Sequence, residues 1–446
     1  MSKRTASNAP DATPRRDFLK TSAAAAAGAA LATALDIAPR AYAAETDAIK
    51  IALVGAGGRG TGAAVNALSN VSHKNVKLVA VADAFRDRIN QSVQSLAKKF
   101  ADKVDVPDER KFDGLDAYQK AMDCGADLVL LCSPPGFRPA HFEAAIKAGK
   151  HVFMEKPVAV DAPGYRQVKA ANEEARKKNL MVAVGHHLRH TPSYREAIKM
   201  IHDGAIGELN LLRAYFNSNG IWVRPRKPDM TEMQYQVSNW YHFVWLSGDH
   251  LVEQHVHDID ICNWLAQGHP VEANGMGSRA VRVAPGIGEI FDNHFVEFTY
   301  EKGFKMYSQC RQIPGCWGAF SEHAHGTKGR INLSGGNGEV TLEVAGQEPK
   351  RWPAQKDGHQ TEMDDLFAAL LDKKPYNEGD WAADSTMTAI LGRMATYSGK
   401  VVHWDAAVKS QLSLGPDKMT WDAVPKTKPG ADGTYACAVP GVTKAW

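Results

Sequence analysis

Two groups of residues in this 446-residue chain have types and spacings that could do chemistry. The first is Val54-Gly55-Ala56-Gly57-Gly58-Arg59-Gly60, a G-x-G-x-x-G run set between an apolar stretch, Lys50 to Val54, and a helical one, Gly62 to Leu68. In that setting Gly55 allows a tight turn, Gly57 lets the backbone approach a bound group, and Gly60 lets helix and strand pack closely. The N–H groups at the helix start, around Gly58 and Arg59, suit a diphosphate. Asp83 closes the next apolar run, where its carboxylate can accept two hydrogen bonds from ribose hydroxyls and would meet a 2′-phosphate as a like charge. These features point to NAD or NADP, with NAD favoured; Arg59, Arg86 and Arg88 lie close by and blur the preference.

The second group is Glu253-Gln-His-Val-His257. Its i, i+4 spacing puts Glu253 and His257 on one helix face, where a carboxylate could orient an imidazole. An imidazole titrates near neutrality and can take a proton from a hydroxyl. His250, Glu253, His255 and His257 could alternatively ligate zinc, but His255 points to a different face of a regular helix from His257, and no metal is expected. His255 is read either as structural or as a substrate contact. His186-His187-x-Arg189 follows a strand end, where ligands gather in open α/β sheets, so His187 and Arg189 either touch substrate or cap the domain junction.

The elements that must position these residues follow from the hydrophobic pattern. Lys50–Val54, Leu78–Ala82, Asp127–Cys132, His151–Met154 and Met181–Val184 are short runs, apolar after their first residue, alternating with helical stretches such as His141–Ala148. That alternation predicts a parallel sheet covered on both faces. Beyond it, Tyr194–His202 and Thr386–Ser398 read as helices, and Leu209–Phe216, Phe295–Tyr300, Lys305–Gln309 and Val401–His403 as strands. Residues 220–239 read as an irregular surface excursion, and the tail from Pro425 as a Gly-, Pro- and Lys-rich surface wrap. The boundaries expected are a Rossmann domain over 48–186, an α/β substrate and oligomerisation domain over 187–420, and a tail over 421–446.

Residues 1–43 are set apart as a signal. Arg15-Arg16-Asp17-Phe18-Leu19-Lys20 precedes an uncharged Ala- and Leu-rich stretch, Thr21 to Leu35, with Ala41-Tyr42-Ala43 as the cleavage site, and resembles a twin-arginine export signal, with Pro14 where Ser or Thr is usual. The stretch is too short and too weakly apolar to span a bilayer, so a periplasmic or otherwise exported protein without stable membrane insertion is expected. The signal holds six basic and three acidic residues, and without it the charges balance. A balanced chain lacks the basic face of a nucleic-acid binder. The six cysteines show no C-x-x-C pair and are expected to be mostly free, with Cys310 and Cys316 the one candidate bridge.

Further residues carry a family resemblance. Cys132-Ser133-Pro134-Pro135 ends one strand, His141 begins the next helix, and Glu155-Lys156-Pro157 follows another strand. With the glycine run, these resemble the glucose–fructose oxidoreductase, inositol dehydrogenase and MocA (Gfo/Idh/MocA) family. Gly204-Ala-Ile-Gly207 and Arg393 to Gly399 extend the resemblance over nearly all of the chain after the signal. The resemblance implies an N-terminal Rossmann domain followed by an α/β domain with a large open, mostly antiparallel sheet that forms the contact of a homo-oligomer, a dimer or tetramer. It places Ser133, Pro134, His141, Glu155 and Lys156 at the cofactor, Lys156 beside the nicotinamide and the reacting hydroxyl, and His257 as the catalytic histidine. Members usually carry Asp and Gly where this chain has Glu253 and His255. The implied substrate is a small carbohydrate or polyol. Three functions are open: a dehydrogenase whose dinucleotide stays bound and alternates between redox forms, a redox-neutral glycosidase that oxidises, eliminates and re-reduces, and a sugar-binding protein with a relic dinucleotide fold. Trp222, Trp240 and Trp245 either stack on a sugar or belong to the core.

Overall fold

The computed structural model describes residues 48–355 and 358–446; the signal read over 1–43 lies outside them. Six strands, β1 (Ile49–Val54), β2 (Val76–Asp83), β3 (Lys111–Asp113), β4 (Leu128–Leu131), β5 (His151–Met154) and β6 (Val182–Val184), form a parallel sheet in the order β3-β2-β1-β4-β5-β6. This is the doubly wound order, and its switch point lies between β1 and β4. The central strands are largely apolar because both faces are covered. Ala52 and Val54 join one core with Val129, Leu131 and Val152, while Ile49, Ile51 and Leu53 join the opposite core with Leu128 and Leu130. The helices are α1 (Gly58–Leu68), α2 (Arg86–Lys99), α3 (Ala117–Met122), α4 (Arg138–Lys147) and α5 (Ala162–Lys177).

After α6 (Pro192–His202) the chain enters a nine-stranded sheet that contains β7 (Leu209–Ser218), β8 (Pro270–Ser278), β9 (Asn293–Tyr300), β10 (Lys305–Gln312) and β11 (Ala319–Gly326). Every described pairing in it is antiparallel except β7 with β10. Its residues alternate in burial because only one face is covered. Val296, Phe298, Met306 and Cys310 pack inward, whereas Met276, Phe295 and Tyr307 lie on the open face.

Two features differ from the sequence-based expectation. The irregular excursion is only partly irregular: 219–230 is coil, but Glu232–Ser238 is a helix, α7, closed by a capping box in which Thr231 and Gln234 bond each other's backbone N–H. The chain also returns to the first sheet late. Met363, Leu366 and Phe367 of the helix Gly358–Asp372 complete one of its cores, and Ala382 and Ala383 of Gly379–Ser398 complete the other. The tail is pinned, with Tyr435 buried among Phe137, Phe243 and Trp245. All six cysteines are free; Cys310 is buried on β10 and Cys316 is exposed beyond it, so the candidate bridge does not form.

Candidate active site

The loop after β1 and the loop after β4 meet at the switch point and open into a cleft of about 900 Å³ lined by both halves of the chain. The glycines of the first loop divide into two kinds. Gly55 has φ +98°, and a Cβ there would land on the Cys132–Ser133 backbone; a Cβ on Gly60 would land on the Gly55 carbonyl. These two are required by the protein's own packing. A Cβ on Gly57 or Gly58 would meet nothing within 4 Å. Their bareness leaves a cradle open at the start of α1, which has no side-chain cap and no acid in its first turn, the condition in which helix N–H groups receive an anion.

Other groups surround the cradle. Asp83 accepts from the Ala56 N–H at 2.7 Å and from the Phe85 N–H at 3.0 Å, which locks the end of β2 to the glycine loop. Burial pushes its carboxyl up, against the opposing charge of Arg88. Ser133 Oγ and His141 Nδ1 share a hydrogen bond of 2.9 Å, and His141 stacks on Tyr118 with centroids 4.0 Å apart. Burial and the Arg138 charge bring His141 down to about 3, so it is neutral. Pro134 also borders the cleft. Glu155 is buried and pairs with Arg59 at 2.9 Å. Burial raises Glu155, but Arg59 and Lys156 outweigh it and hold the carboxyl below its ordinary range.

At the far end of the cleft Lys156 Nζ donates to the Glu253 backbone carbonyl and, at 3.1 Å, to its carboxylate. This corrects the expected pairing of Glu253 with His257. Past α8 (Val244–Ser247) a short helix ends at Glu253 (α9, His250–Glu253) and the next starts at Val256 (α10, Val256–Ala266), so the i, i+4 face does not exist. In a continuous helix the Glu253 carbonyl would accept the His257 N–H; Lys156 takes that carbonyl, and the His257 N–H turns to Gln254 instead, at 3.2 Å. His257 still lines the cleft, edge-on to His187 with centroids 4.8 Å apart, and its Nδ1 has no hydrogen-bond partner among the described residues. Burial, then the charge of Lys156, hold its imidazole well below the ordinary value.

Two predicted substrate contacts are elsewhere. His255 is fully buried beneath the second sheet, bonded to Asp258 at 3.0 Å and Ser308 at 2.8 Å. Arg189 pairs with Asp260 at 2.7 Å and lies over the Trp381 ring at 3.8 Å, outside the main cleft. Nε and Nη2 of the guanidinium are engaged by the Asp260 carboxylate as a bidentate pair. His250, named in the metal alternative, lies with Asp249 and His294, apart from Glu253 and His257. Asp249 Oδ2 accepts from the Phe291 N–H and the Tyr397 hydroxyl, and its Oδ1 from the His250 N–H, so this carboxylate is already engaged. Sequence reasoning did not single out His359, stacked on His187 at 3.9 Å, nor Phe216, Gln254 and Phe320, which complete the cleft.

Comparison with known proteins decides the family. Residues 49–186 match the model of the oxidoreductase family with an NAD-binding Rossmann fold, GFO_IDH_MocA, and residues 194–332 match the GFO/IDH/MocA C-terminal domain. The chain belongs to the Gfo/Idh/MocA family. Residues 13–32 match the twin-arginine translocation signal, which marks this member for export. Among the described residues no helix is long and apolar enough to cross a membrane.

Within the family, the chain is 24% identical to inositol 2-dehydrogenase of Rhizobium meliloti (strain 1021) over 321 residues, 72% of this chain and 86% of that one. It is 29% identical over 217 residues to 2,7-anhydro-N-acetylneuraminate hydratase of Mediterraneibacter gnavus, 47% of this chain and 52% of that one. Its fold is similar to that of an aldose-aldose oxidoreductase from Caulobacter crescentus, with TM-score 0.62 and 18% identity over 80% of this chain and all of that one.

Proposed function

We propose that this exported Gfo/Idh/MocA protein is an NAD-dependent oxidoreductase that takes hydride from a hydroxyl-bearing carbon of a sugar, polyol or glycoside and keeps its dinucleotide between turnovers. The observation that carries the reading is the meeting of Lys156, His187 and His257 in the same cleft as the bare glycines and Asp83. Gly57, Gly58 and the start of α1 would hold the diphosphate, and Asp83 the adenosine ribose. The bound dinucleotide supplies the hydride acceptor. Lys156 stabilises negative charge as it develops on the substrate oxygen, and Glu253 holds its Nζ in place. His257, held neutral, accepts the hydroxyl proton. His187 packs edge-on against His257 and would face the sugar. The name of the inositol relative supports a ring hydroxyl as the reacting group. By family resemblance, the open face carrying Met276, Phe295 and Tyr307 would be the contact of a homo-oligomer.

A second reading, the redox-neutral glycosidase, is favoured by the relative named as a hydratase, because adding water changes no net oxidation state. The binding-only reading has against it the presence of a cation and a neutral imidazole at the end of a complete dinucleotide cradle. The test is to purify the protein, identify the nucleotide released on denaturation, and assay a panel of polyols and glycosides. Net nicotinamide reduction supports the dehydrogenase, and cleavage without net redox change the second reading. His257→Ala is expected to slow single-turnover hydride transfer by roughly 10²–10⁴-fold while the dinucleotide stays bound. Lys156→Ala should lose at least as much, and Glu253→Gln less, since an acceptor oxygen remains. Wild-type hydride transfer in His257→Ala would remove His257 from the role, and His187 would be the base to test next.

A further inference from the structure

The dinucleotide cleft is bounded by more than the first domain. The coil at 219–230, between β7 and α7, sends Trp222 and Arg224 into its lining beside Trp240. This coil is held at several points. The Arg224 N–H donates to Asn239 Oδ1 at 2.7 Å, Asn239 Nδ2 donates back to the Arg224 carbonyl at 3.1 Å, and the Trp222 carbonyl accepts from His242 Nε2 at 2.8 Å. The Arg224 guanidinium lies over the Trp222 ring at 4.1 Å. Two residues on, Arg226 pairs with Glu232 at 2.6 Å, and the phenol of Tyr435 from the tail bonds both. The same tail sets Trp421 against Phe85, with centroids 5.6 Å apart, just past Asp83.

The same cavity is lined at the end of β2 and just beyond it by Asp83, Ala84, Arg88 and Gln91, the adenosine side in the reading above. Burial and then the Arg88 charge lower the Arg224 guanidinium, while Asp87 and Asp83 act the other way. Arg88 and Arg224 thus line the same cavity as Asp83. A flat, π-faced ligand that also carries a diphosphate completes that arrangement, since guanidinium stacks on aromatic faces and pairs with phosphate oxygens.

We propose that Trp222 and Arg224 are cofactor-binding residues contributed by the second domain, which cover the adenosine half of the dinucleotide so that it leaves only when the 219–230 run is displaced. The inference rests on the dinucleotide reading above. It gives a physical basis for retention in an exported protein: the cover belongs to the folded chain, and its anchors are Glu232 and Tyr435.

The experiment follows release of NADH from the intact protein by stopped-flow fluorescence during a chase with excess NAD. The variants are Arg224→Ala, Trp222→Ala and Arg226→Ala, each checked for fold by circular dichroism and melting. Arg224→Ala is expected to release NADH about tenfold faster or more, the scale of one desolvated cation–π contact. Arg226→Ala leaves the lining residues in place but frees the run, and should accelerate release as well. Titration with half-ligands localises the effect: Arg224→Ala should weaken ADP-ribose and leave reduced nicotinamide mononucleotide unchanged. Folded variants that release NADH at the wild-type rate, or that lose both half-ligands equally, overturn the proposal. Wild-type protein that holds no dinucleotide overturns the dinucleotide reading and this inference with it.

Discussion

Asp83 is buried and His257 half-buried on the cleft, and the two are shifted in opposite directions. Burial, followed by the Lys156 charge, lowers the His257 imidazole, so the neutral, proton-accepting form persists to lower pH than in an unperturbed histidine. The acid limb of kcat/KM for hydride transfer is therefore expected below the ordinary imidazole value of about 6.5. Stopped-flow measurements between pH 4.5 and 8, with ranges chosen about that value, check this; a limb at the ordinary value would mean that another group takes the proton. Asp83 is fixed by two backbone N–H donors and so presents its carboxylate in one orientation. Asp83→Ser should narrow or reverse an NAD over NADP preference, through loss of charged hydrogen bonds of about 1.5–3 kcal/mol. It should also weaken NAD outright, because the Ala56 latch on the glycine loop is lost. Calorimetric affinities for the two dinucleotides test both effects, and an unchanged ratio would assign the selection to Arg88 and its neighbours.

The strand–loop–helix unit from β1 through α1 separates packing from ligand binding within six residues. Gly57 has φ −71° and no neighbour within reach of a Cβ, so alanine fits there in the empty chain. Gly57→Ala is expected to change stability by less than about 1 kcal/mol and yet to abolish dinucleotide binding by filling the cradle. Gly60→Ala drives a methyl into the Gly55 carbonyl and should destabilise the fold by about 1–3 kcal/mol, the usual cost of overpacking. Melting curves and dinucleotide titrations of the two variants should dissociate in this way; a Gly57→Ala protein that binds NAD normally would take the diphosphate away from this loop. The break between α9 and α10 works at the same scale. One lysine from the first domain occupies a helix carbonyl, and the interruption turns Glu253 toward Lys156 and leaves His257 on the cleft.

The two sheets form one body because the chain crosses back: the helices Gly358–Asp372 and Gly379–Ser398 supply side chains to both faces of the first sheet. Beneath the second sheet, Asp258 and Glu322 face each other, both fully buried. Burial pushes Glu322 up to about 8 and raises Asp258 with it, which is the signature of two carboxyls sharing a proton. A carboxyl whose folded value is raised contributes stability that is fully present below its unfolded value, about 4.3 for Glu, and is lost as pH rises through the folded value. The pair should therefore cost stability progressively between those two values. Glu322→Gln keeps the shape and removes the second charge, so its melting temperature relative to wild type should climb across that window. A difference that is flat with pH would mean that the pair is ionised at no cost.

Much of this protein was legible without coordinates, and the legible part is local. Short apolar runs such as Ile51–Val54 and Leu128–Leu131, alternating with helical stretches, read as strands covered on both faces, and a glycine run between strand and helix has few uses, so the Rossmann half and its cradle followed from pattern and spacing. The His257 position came with the family pattern. What tertiary structure decided is which partner each polar side chain takes. Glu253 turned to Lys156, 97 residues away, and not to His257 four residues on. His255 went to Ser308 and Arg189 to Asp260, so neither reaches the cleft. His359 and Arg224 arrived from segments with no pattern to mark them, and Trp222, read as a sugar-stacking or core residue, lines the cleft. Periodicity reports which face of an element is buried, but a charge or imidazole pairs by distance in the folded chain, and that distance is set only when the two sheets pack together.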